Sequence, residues 1–461
     1  MRLRPALLLA LVLIIGAAEA LPPVPPVLDQ AALGVGIQRT MTLLAESAPE
    51  RHNRVRILFY GQSITQQEWA VQVADDLRRR FPHADLETRN LAIGGFASQW
   101  LVRTFEHDLP AFYPDLVVFH VYGGDREYEE IIRGIRSRTT AEVLMQTDHL
   151  TAWPSEVRDE AELQRLHDRD RGAWWSERMN RTFLPGCAGR YGCGLADVRG
   201  EWERYLRANR LEPRALLKDD VHLNASGCAV MAGIVGQYLV HRPDLPRTAW
   251  QDLATELVVG RDLTITDGRL TVPFTGNRID VLAGPATQPV RAGFTIDGRK
   301  PSSFTECLHI TRPEPGPWSP LFIRRVGHDA PLQPEDWTLT VTAAAEGKGW
   351  SFAVQGSVTG ADGSGSSERD FRSDSGRVML AAADWFHPRD AALTAGFRMT
   401  WSVRPLCVDQ ADLIQADPAR ETAITVAQGL ANGPHVLELR CAGAPGQAVR
   451  AIRVYRPPVG R

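Results

Sequence analysis

Short apolar runs alternate with amphipathic stretches from residue 30 to residue 242, and this alternation constrains the fold more than any other feature. Apolar runs of strand length separated by helical periodicity are typical of a parallel sheet with helices on both faces. The pattern predicts strands at residues 55–60, 87–92, 116–122 and 141–147, and helices at residues 66–81, 97–109 and 126–138. Glycines follow the first three strands, so we expect them to meet at the carboxyl edge of the sheet, where open α/β folds place their sites.

The composition changes after the prolines at positions 243 and 246. From about residue 253, short alternating segments are separated by Gly, Pro, Asn and Asp, which is typical of an all-β sandwich. A chain of 461 residues is also long for one compact core. We therefore predict an α/β domain at residues 21–245 and a β-sandwich at residues 250–461.

The first twenty residues carry Arg2 and Arg4, an apolar run, and small residues ending at Ala20. This pattern predicts a signal peptide at residues 1–20 and a secreted protein, extracellular or periplasmic, with no membrane association after cleavage. An uncleaved anchor is the alternative, although the apolar run is short for a bilayer crossing. The net charge of −3 gives no basic excess of the kind that nucleic-acid binding needs, so we expect no nucleic-acid partner.

Six cysteines in an exported chain permit disulfides. Cys187 and Cys193 enclose a flexible segment and are the best predicted pair; Cys407 with Cys441 is a second, and Cys228 is expected to be a buried free thiol. No second Cys or His pair lies at ligand spacing from Cys187 and Cys193. We therefore predict no metal, and the chemistry outlined below needs no cofactor.

The segment Gly61-Gln62-Ser63 lies between the first predicted strand and the first predicted helix. Gly61 lets the backbone turn sharply, and the helix N-terminus would direct free N–H groups toward negative charge near the serine hydroxyl. Ser63 is thus a candidate nucleophile. The alternative is that Ser63 or Thr65 only caps the helix.

A second candidate segment contains Asp219, Asp220 and His222, just before a helical run. A histidine is the natural base for a serine hydroxyl, and a carboxylate on its other ring nitrogen fixes its tautomer. Asp219 can bend back to make this contact, and Asp220 is the competitor. A helix cap beside a surface histidine is the structural alternative. The order of Gly-x-Ser early and Asp-x-x-His late in one α/β unit favours the catalytic interpretation.

At these residues the chain resembles the SGNH (GDSL-like) hydrolases, whose sequence blocks occur in the family's order between residues 55 and 239. Gly61-Gln62-Ser63 resembles the first block, in the Gly-Gln-Ser variant of carbohydrate acetylesterases. Residues 90–95 resemble the second block, and Asp219-x-x-His222 resembles the fifth. The resemblance implies a flavodoxin-like three-layer α/β/α hydrolase domain, followed here by a jelly-roll-like sandwich. It also implies a Ser63, His222 and Asp219 triad.

The resemblance implies an oxyanion hole as well, formed by the N–H groups of Ser63 and Gly95. The family's third block, Gly-x-Asn-Asp, adds an asparagine side chain, but this chain has Tyr122-Gly123-Gly124-Asp125 and no asparagine. Losing one oxyanion donor costs on the order of a hundredfold in rate. Either a backbone N–H of Gly123 or Gly124 takes its place, or another side chain does, or the enzyme is weak; we name Gly124. Asp125 cannot donate when it is ionised.

Gln62, Trp69 and His149 are predicted to contact substrate, because they lie next to the nucleophile or after the fourth strand. The sandwich is expected either to shield the first domain or to bind carbohydrate through an exposed aromatic residue such as Trp318, Trp350 or Trp385. Its Gly/Ser-rich segment at residues 360–367 is expected to be a mobile loop.

Together these features predict a secreted serine esterase that removes acetyl or other small acyl groups from a carbohydrate ester, either a polysaccharide or an oligosaccharide. One alternative is a GDSL-type lipase or lysophospholipase, although residues 151–194 are too charged to suggest an acyl channel. The other is a non-catalytic carbohydrate-binding protein on a decayed SGNH fold. The sequence leaves the sugar, the acyl group and the oligomeric state open.

Overall fold

The computed structural model describes residues 22–286, 288–314, 322–344, 349–386, 393–441 and 448–460. The predicted signal peptide at residues 1–20 and Trp318 lie outside these described residues. Within the described ranges, no helix combines the length and the apolar character that a membrane crossing requires.

A parallel sheet of five strands forms the centre of the N-terminal domain, in the order β2-β1-β3-β4-β5. Its strands are β1 (Arg54–Gly61), β2 (Asp85–Asn90), β3 (Leu116–His120), β4 (Glu142–Gln146) and β5 (Gly194–Ala196). The central strands β3 and β4 are buried along their whole length, which explains their continuous apolar runs. The four predicted strands all overlap observed ones, and the short β5 was not predicted.

Helices cover both faces of this sheet. They are α1 (Gln38–Ala45), α2 (Trp69–Arg80), α3 (Ser98–Phe112), α4 (Asp125–Arg138), α5 (Glu160–Arg169), α6 (Arg171–Arg178), α7 (Leu184–Tyr191), α8 (Val198–Ala208) and α9 (Ala225–Tyr238). Successive residues of β1 point to opposite faces, so Phe59 packs with α1, α2, α8 and α9 while Leu58 and Tyr60 pack with α3, α4 and α7. The domain is therefore the predicted three-layer α/β/α unit.

The helix α2 begins at Trp69, three residues later than predicted. The residues before it form a tight turn, in which the Thr65 N–H donates to the Gln62 carbonyl over 2.8 Å. This turn carries Ser63, so the late start of the helix belongs to the candidate site.

The C-terminal half is a β-sandwich built from antiparallel sheets. One sheet has the order β16-β8-β17-β7-β18-β6, another the order β12-β11-β10-β15-β9, and β13 pairs with β14. The strands are β6 (Ala254–Val258), β7 (Arg269–Ala283), β8 (Val290–Ile296), β9 (Leu308–Ile310), β10 (Glu335–Ala344), β11 (Trp350–Gly356), β12 (Gly360–Ser366), β13 (Phe371–Arg372), β14 (Met379–Leu380), β15 (Arg398–Pro405), β16 (Gln410–Leu413), β17 (Ala423–Cys441) and β18 (Val449–Tyr455). Each of the two large sheets has its own apolar cluster.

Two expectations for the sandwich were wrong. The Gly/Ser-rich segment forms strand β12, because its backbone pairs with β11. Trp350 and Trp385 are buried in the apolar cluster of the second sheet, where their rings pack together, so neither is an exposed aromatic residue for carbohydrate.

The sandwich packs against α3 through polar contacts. Nε of Arg312 lies 2.7 Å from Oδ1 of Asp108, and Nε of Arg103 lies 2.6 Å from Oδ1 of Asp384. Nδ1 of His107 lies 2.9 Å from the Ile310 carbonyl oxygen. Because the N-terminus of α3 lies at the candidate site, the sandwich helps to fix one wall of that site.

The predicted disulfides are not formed. None of the six cysteines, all of which are in the described ranges, is disulfide-bonded. Cys187 lies in α7 and Cys193 lies beyond its end, and both thiols are buried in the same apolar cluster. The Cys407 thiol hydrogen-bonds with that of Cys307 rather than pairing with Cys441.

Candidate active site

The turn after β1 presents Ser63 at the carboxyl edge of the sheet. A Cβ atom at Gly61 would lie 2.0 Å from the carbonyl oxygen of His120 on the neighbouring strand, so only glycine allows the chain to pass there. Ser63 lies just beyond this crossing and is half-buried. Its side chain is therefore held on a tight turn while remaining accessible.

The loop before α9 brings His222 to this serine. Nε2 of His222 lies 2.9 Å from Oγ of Ser63, and Nδ1 lies 2.9 Å from Oδ2 of Asp219. With the Nδ1–H donating to the carboxylate, Nε2 is free to accept the serine proton. The structure thus brings the three predicted triad residues into the arrangement that nucleophilic catalysis needs.

Asp219 is fixed by its own loop. The N–H groups of His222 and Val221 donate to its Oδ1 over 2.7 and 2.9 Å. These backbone hydrogen bonds hold the pKa of Asp219 well below its usual value, so the carboxylate is ionised at neutral pH. The competitor Asp220 pairs with Arg214 and its side chain is 86% exposed. The geometry therefore selects Asp219 as the partner of His222.

His149 was predicted to contact substrate, but its side chain is buried beside the His222 loop. It is 3% exposed, and its Nε2 lies 2.9 Å from the carbonyl oxygen of Val221, the residue before His222. Burial lowers the pKa of His149 to about 4, so its ring is neutral at physiological pH. His149 is a positioning residue for the His222 loop.

Behind His149 lies a buried polar group that the sequence analysis did not identify. Oδ1 of Asp148 lies 2.9 Å from Nε2 of His120, and its Oδ2 accepts a hydrogen bond of 2.9 Å from the Asn180 side chain. Burial opposes the ionised form, but these contacts outweigh it and lower the pKa of Asp148. The group fixes the end of β4, from which His149 projects.

Gln67 is a second positioning residue that the sequence analysis missed. Its Nε2 donates to the carbonyl oxygen of Leu223 over 2.8 Å, and its Oε1 accepts the Leu223 N–H over 3.0 Å. Both halves of one carboxamide therefore tie the serine turn to the histidine loop. No local pattern around Gln67 marks this role, since its partner lies far along the chain.

The loop after β2 runs beside the nucleophile. A Cβ atom at Gly94 would lie 3.7 Å from the Cβ of Ser63, and Gly95 has a φ of 78°, which favours glycine. The N–H groups of Ser63 and Gly95 have no hydrogen-bond acceptor among the described residues. They are free to donate to a group bound at Ser63, and the oxyanion hole implied by the resemblance stays a prediction.

In the third loop, glycine stands where the family pattern has an asparagine. A Cβ atom at Gly124 would lie 2.3 Å from Oε2 of Glu127, so a side chain at this position would require the Glu127 carboxylate to move. The Gly124 N–H has no acceptor among the described residues. Gly124 thus remains a candidate donor through its backbone alone.

The remaining predicted substrate contacts lie mostly inside the protein. Trp69 is 1% exposed and its indole N–H donates to the Ile64 carbonyl, so its predicted contact with substrate is corrected to a core role. Gln62 is buried in the serine turn. An open groove of about 490 Å³ borders Ser63 and His222, and polar side chains dominate its lining, namely Gln66, Gln67, Glu68, Lys218 and Asn224.

Comparison with known proteins finds similar solved structures but no similar sequence. No family model matches the chain, and no curated protein matches it in sequence. Among solved structures, a two-domain esterase (CEX) active on acetylated mannans is 16% identical, with 93% of this chain and 98% of that chain covered and a TM-score of 0.34. An acetyl xylan esterase, AlAXEase, is 22% identical, with 39% and 98% covered and a TM-score of 0.32.

A third solved structure is Axe2, an acetylxylan esterase from Geobacillus stearothermophilus. It is 17% identical, with 42% of this chain and 98% of that chain covered and a TM-score of 0.33. With identities and TM-scores this low, the likenesses do not establish the activity of this chain. The chemistry of the site depends on the measured contacts around Ser63 and His222.

Proposed function

We propose that this protein is a serine esterase that removes acetyl or other small acyl groups from a carbohydrate. The observation that carries the proposal is the chain of two contacts, each 2.9 Å long, from Ser63 through His222 to Asp219. In a non-catalytic protein on a decayed fold, nothing would maintain the serine, the base and the acid at hydrogen-bond distance from one another. No metal or cofactor is needed for this chemistry.

In the proposed reaction, Nε2 of His222 takes the proton of Ser63 as Oγ attacks the ester carbonyl. The ionised Asp219 stabilises the imidazolium that forms. The negative charge on the carbonyl oxygen meets the N–H groups of Ser63 and Gly95. His222 then protonates the leaving sugar oxygen, and the acyl group stays on Ser63.

In deacylation, water replaces Ser63 as the nucleophile and His222 again acts as the base. His222 removes a proton from water, the hydroxide attacks the acyl carbonyl, and a second tetrahedral intermediate forms in the same oxyanion hole. Its collapse returns the proton to Ser63 and releases the carboxylic acid. The two half-reactions use the same three side chains.

The carbohydrate part of the proposal rests on the groove. Most of its lining residues are polar, its shape is open, and it offers amide, carboxylate and ammonium groups to hydroxyls. A lipase would need a long apolar channel, and an open groove whose apolar lining residues are Leu223, Ala225 and Cys228 is not one. Acetylated mannans and xylans are the substrates of the compared esterases, and we propose the same class here. The proposal includes export through residues 1–20.

The test is acetate release from acetylated mannan, xylan and bacterial polysaccharides by the wild type, Ser63→Ala and Ser351→Ala. Ser351 is an exposed serine of the sandwich and serves as the matched control. We expect release by the wild type and Ser351→Ala, and none by Ser63→Ala. Equal release by Ser63→Ala would reject Ser63 as the nucleophile. Folded wild-type protein that binds a polysaccharide and releases no acetate would instead indicate a binding protein.

A chain-length series of model esters tests the substrate class. A carbohydrate deacetylase should lose kcat/KM steeply beyond acetyl and propionyl esters, because the open groove would leave most of a longer acyl chain in contact with water. A rise in kcat/KM up to octanoyl esters would favour the lipase alternative.

A further inference from the structure

The side chain of Gln99 covers the third loop at the place where the family pattern has an asparagine. We propose that Gln99 supplies the side-chain oxyanion donor that this loop lacks. The inference rests on the proposed esterase function and adds a catalytic residue from a different loop. Gln99 is the second residue of α3 and lies outside the family's sequence blocks, so its local sequence does not suggest this role.

The position of the Gln99 carboxamide relative to the two loop glycines is the first argument. A Cβ atom at Gly124 would lie 3.6 Å from Nε2 of Gln99, and one at Gly123 would lie 2.4 Å from its Oε1. The carboxamide therefore lies beside the position at which the family pattern has an asparagine. It comes from the start of α3 and supplies the same kind of amide group.

Ser98 holds the two loops together. This residue is fully buried; its N–H donates to the Tyr122 carbonyl over 2.9 Å and its hydroxyl donates to the Gly124 carbonyl over 2.9 Å. The hydroxyl oxygen also lies 3.3 Å from Oε1 of Gln99. The carboxamide itself has Oε1 on the Gly123 side and Nε2 on the Gly124 side.

The Nε2 group of Gln99 is available for a ligand. The side chain is exposed, and among the described residues no acceptor receives its N–H groups. The same loop begins at Gly94, beside Ser63, and passes through Gly95, whose N–H is also free. The segment from Gly94 to Gln99 thus carries a free backbone donor and a free side-chain donor.

The sandwich domain fixes the position of the helix that carries Gln99. The helix α3 that carries Gln99 is tied to the sandwich by the Arg312 and Asp108 pair and by the contact of His107 with the Ile310 carbonyl. Preorganised donors stabilise a transition state because they do not have to reorient as charge develops. The anchoring of α3 fixes the backbone from which the Gln99 side chain projects.

The experiment measures kcat and KM for a short-chain acetyl ester with the wild type, Gln99→Ala, Gln99→Glu and Gln164→Ala. Gln164 is an exposed glutamine on α5 and serves as the control. We expect kcat to fall about 10²-fold to 10³-fold in both Gln99 variants, with KM changed by less than about threefold, because the lost contact forms mainly in the transition state. The isosteric glutamate keeps the shape of the side chain and removes its donors.

A second readout separates catalysis from structure. A phenylboronic acid adds to the nucleophilic serine and carries the tetrahedral oxygen, so its inhibition constant should rise in Gln99→Ala by about the same factor as kcat/KM falls. The Tm should stay close to that of the wild type, since Gln99 is exposed. A fall in Tm without loss of kcat or of boronate affinity would overturn the proposal.

The outcomes distinguish this proposal from the esterase function. Unchanged kcat in both Gln99 variants, with an inactive Ser63→Ala, would overturn the role of Gln99 and leave the esterase intact. A wild type without esterase activity, or an active Ser63→Ala, would overturn both.

Discussion

Nε2 of His222 lies 2.9 Å from Oγ of Ser63, although the two residues are 159 positions apart in the chain. The contact forms because β1 ends at the serine turn and the loop before α9 returns to the same edge of the sheet. Gln67 ties the turn and the loop together through the backbone of Leu223. The parallel sheet thus converts two distant segments into one site.

Asp219→Asn should lower kcat by roughly 10³-fold, because an amide cannot stabilise the imidazolium and no longer selects the productive tautomer of His222. Asp220→Asn should change kcat by less than about threefold, because Asp220 faces solvent beside Arg214. Steady-state kinetics on one model acetyl ester compares the two. Equal losses, or a larger loss in Asp220→Asn, would mean that the acid has been assigned to the wrong residue.

Gln67→Ala should lower kcat by about tenfold with little change in KM. The variant loses the two hydrogen bonds between Gln67 and Leu223. Ser63 and His222 would then adopt geometries less suited to proton transfer. Gln72→Ala, a change in the following helix α2 away from Ser63, provides the control. If the activity of Gln67→Ala equals that of the control, these two hydrogen bonds are not needed for the contact between Ser63 and His222.

The free energy of unfolding should fall as the pH is lowered from about 6.5 toward 4. The pKa of His149 is about 4 in the folded protein and about 6.5 in an unfolded chain, so acid favours the unfolded state between these values. His149 alone accounts for roughly 3 kcal/mol at most over this window. The charged or titratable groups around it are Asp148, His120 and His222. Urea unfolding at several pH values measures the change.

His149→Gln isolates that contribution. Glutamine keeps a donor for the Val221 carbonyl but does not titrate, so the variant should retain most of its kcat and show a shallower loss of stability in acid. His309, whose pKa burial also lowers to about 4, keeps titrating and leaves a residual slope. A variant with the same pH dependence as the wild type would show that His149 is protonated in the folded protein.

Arg312→Ala should lower the free energy of unfolding by about 3 kcal/mol, because it leaves the buried Asp108 carboxylate without its cation. Arg404→Ala removes a cation from an ion pair with Asp336 in which both side chains are about half exposed, and should cost less than about 1 kcal/mol. Chemical denaturation of both variants gives the comparison. Equal costs would mean that the contact between α3 and the sandwich is no stronger than a surface pair.

Much of the fold follows from the hydrophobic pattern, because buried parallel strands need continuous apolar runs and their helices need one apolar face. The predicted strand at residues 116–122 and the observed β3 share their start for this reason. The short β5 was missed because three residues carry almost no periodicity. The strand β12 was missed because glycine and serine have low strand propensity, and pairing with β11 overrides it.

The contacts among Ser63, His222 and Asp219 agree with the prediction from residue type and order, but the supporting groups could not be predicted. Trp69 and His149 lie where substrate contacts were expected, yet their side chains point inward, and the sequence does not give that direction. Gln67 and Gln99 act through residues in other loops, so no local motif announces them. The predicted cysteine pairing was wrong for the same reason, because Cys407 lies beside Cys307 only in the folded sandwich.

The measurement that tests the central claim most directly is covalent labelling of the native protein with an alkyl fluorophosphonate, followed by peptide mass spectrometry. We predict one adduct, located on Ser63, whose rate of formation falls strongly in His222→Ala because the base is lost. An adduct on another residue, or no adduct on folded protein, would contradict the assignment of Ser63 as an activated nucleophile.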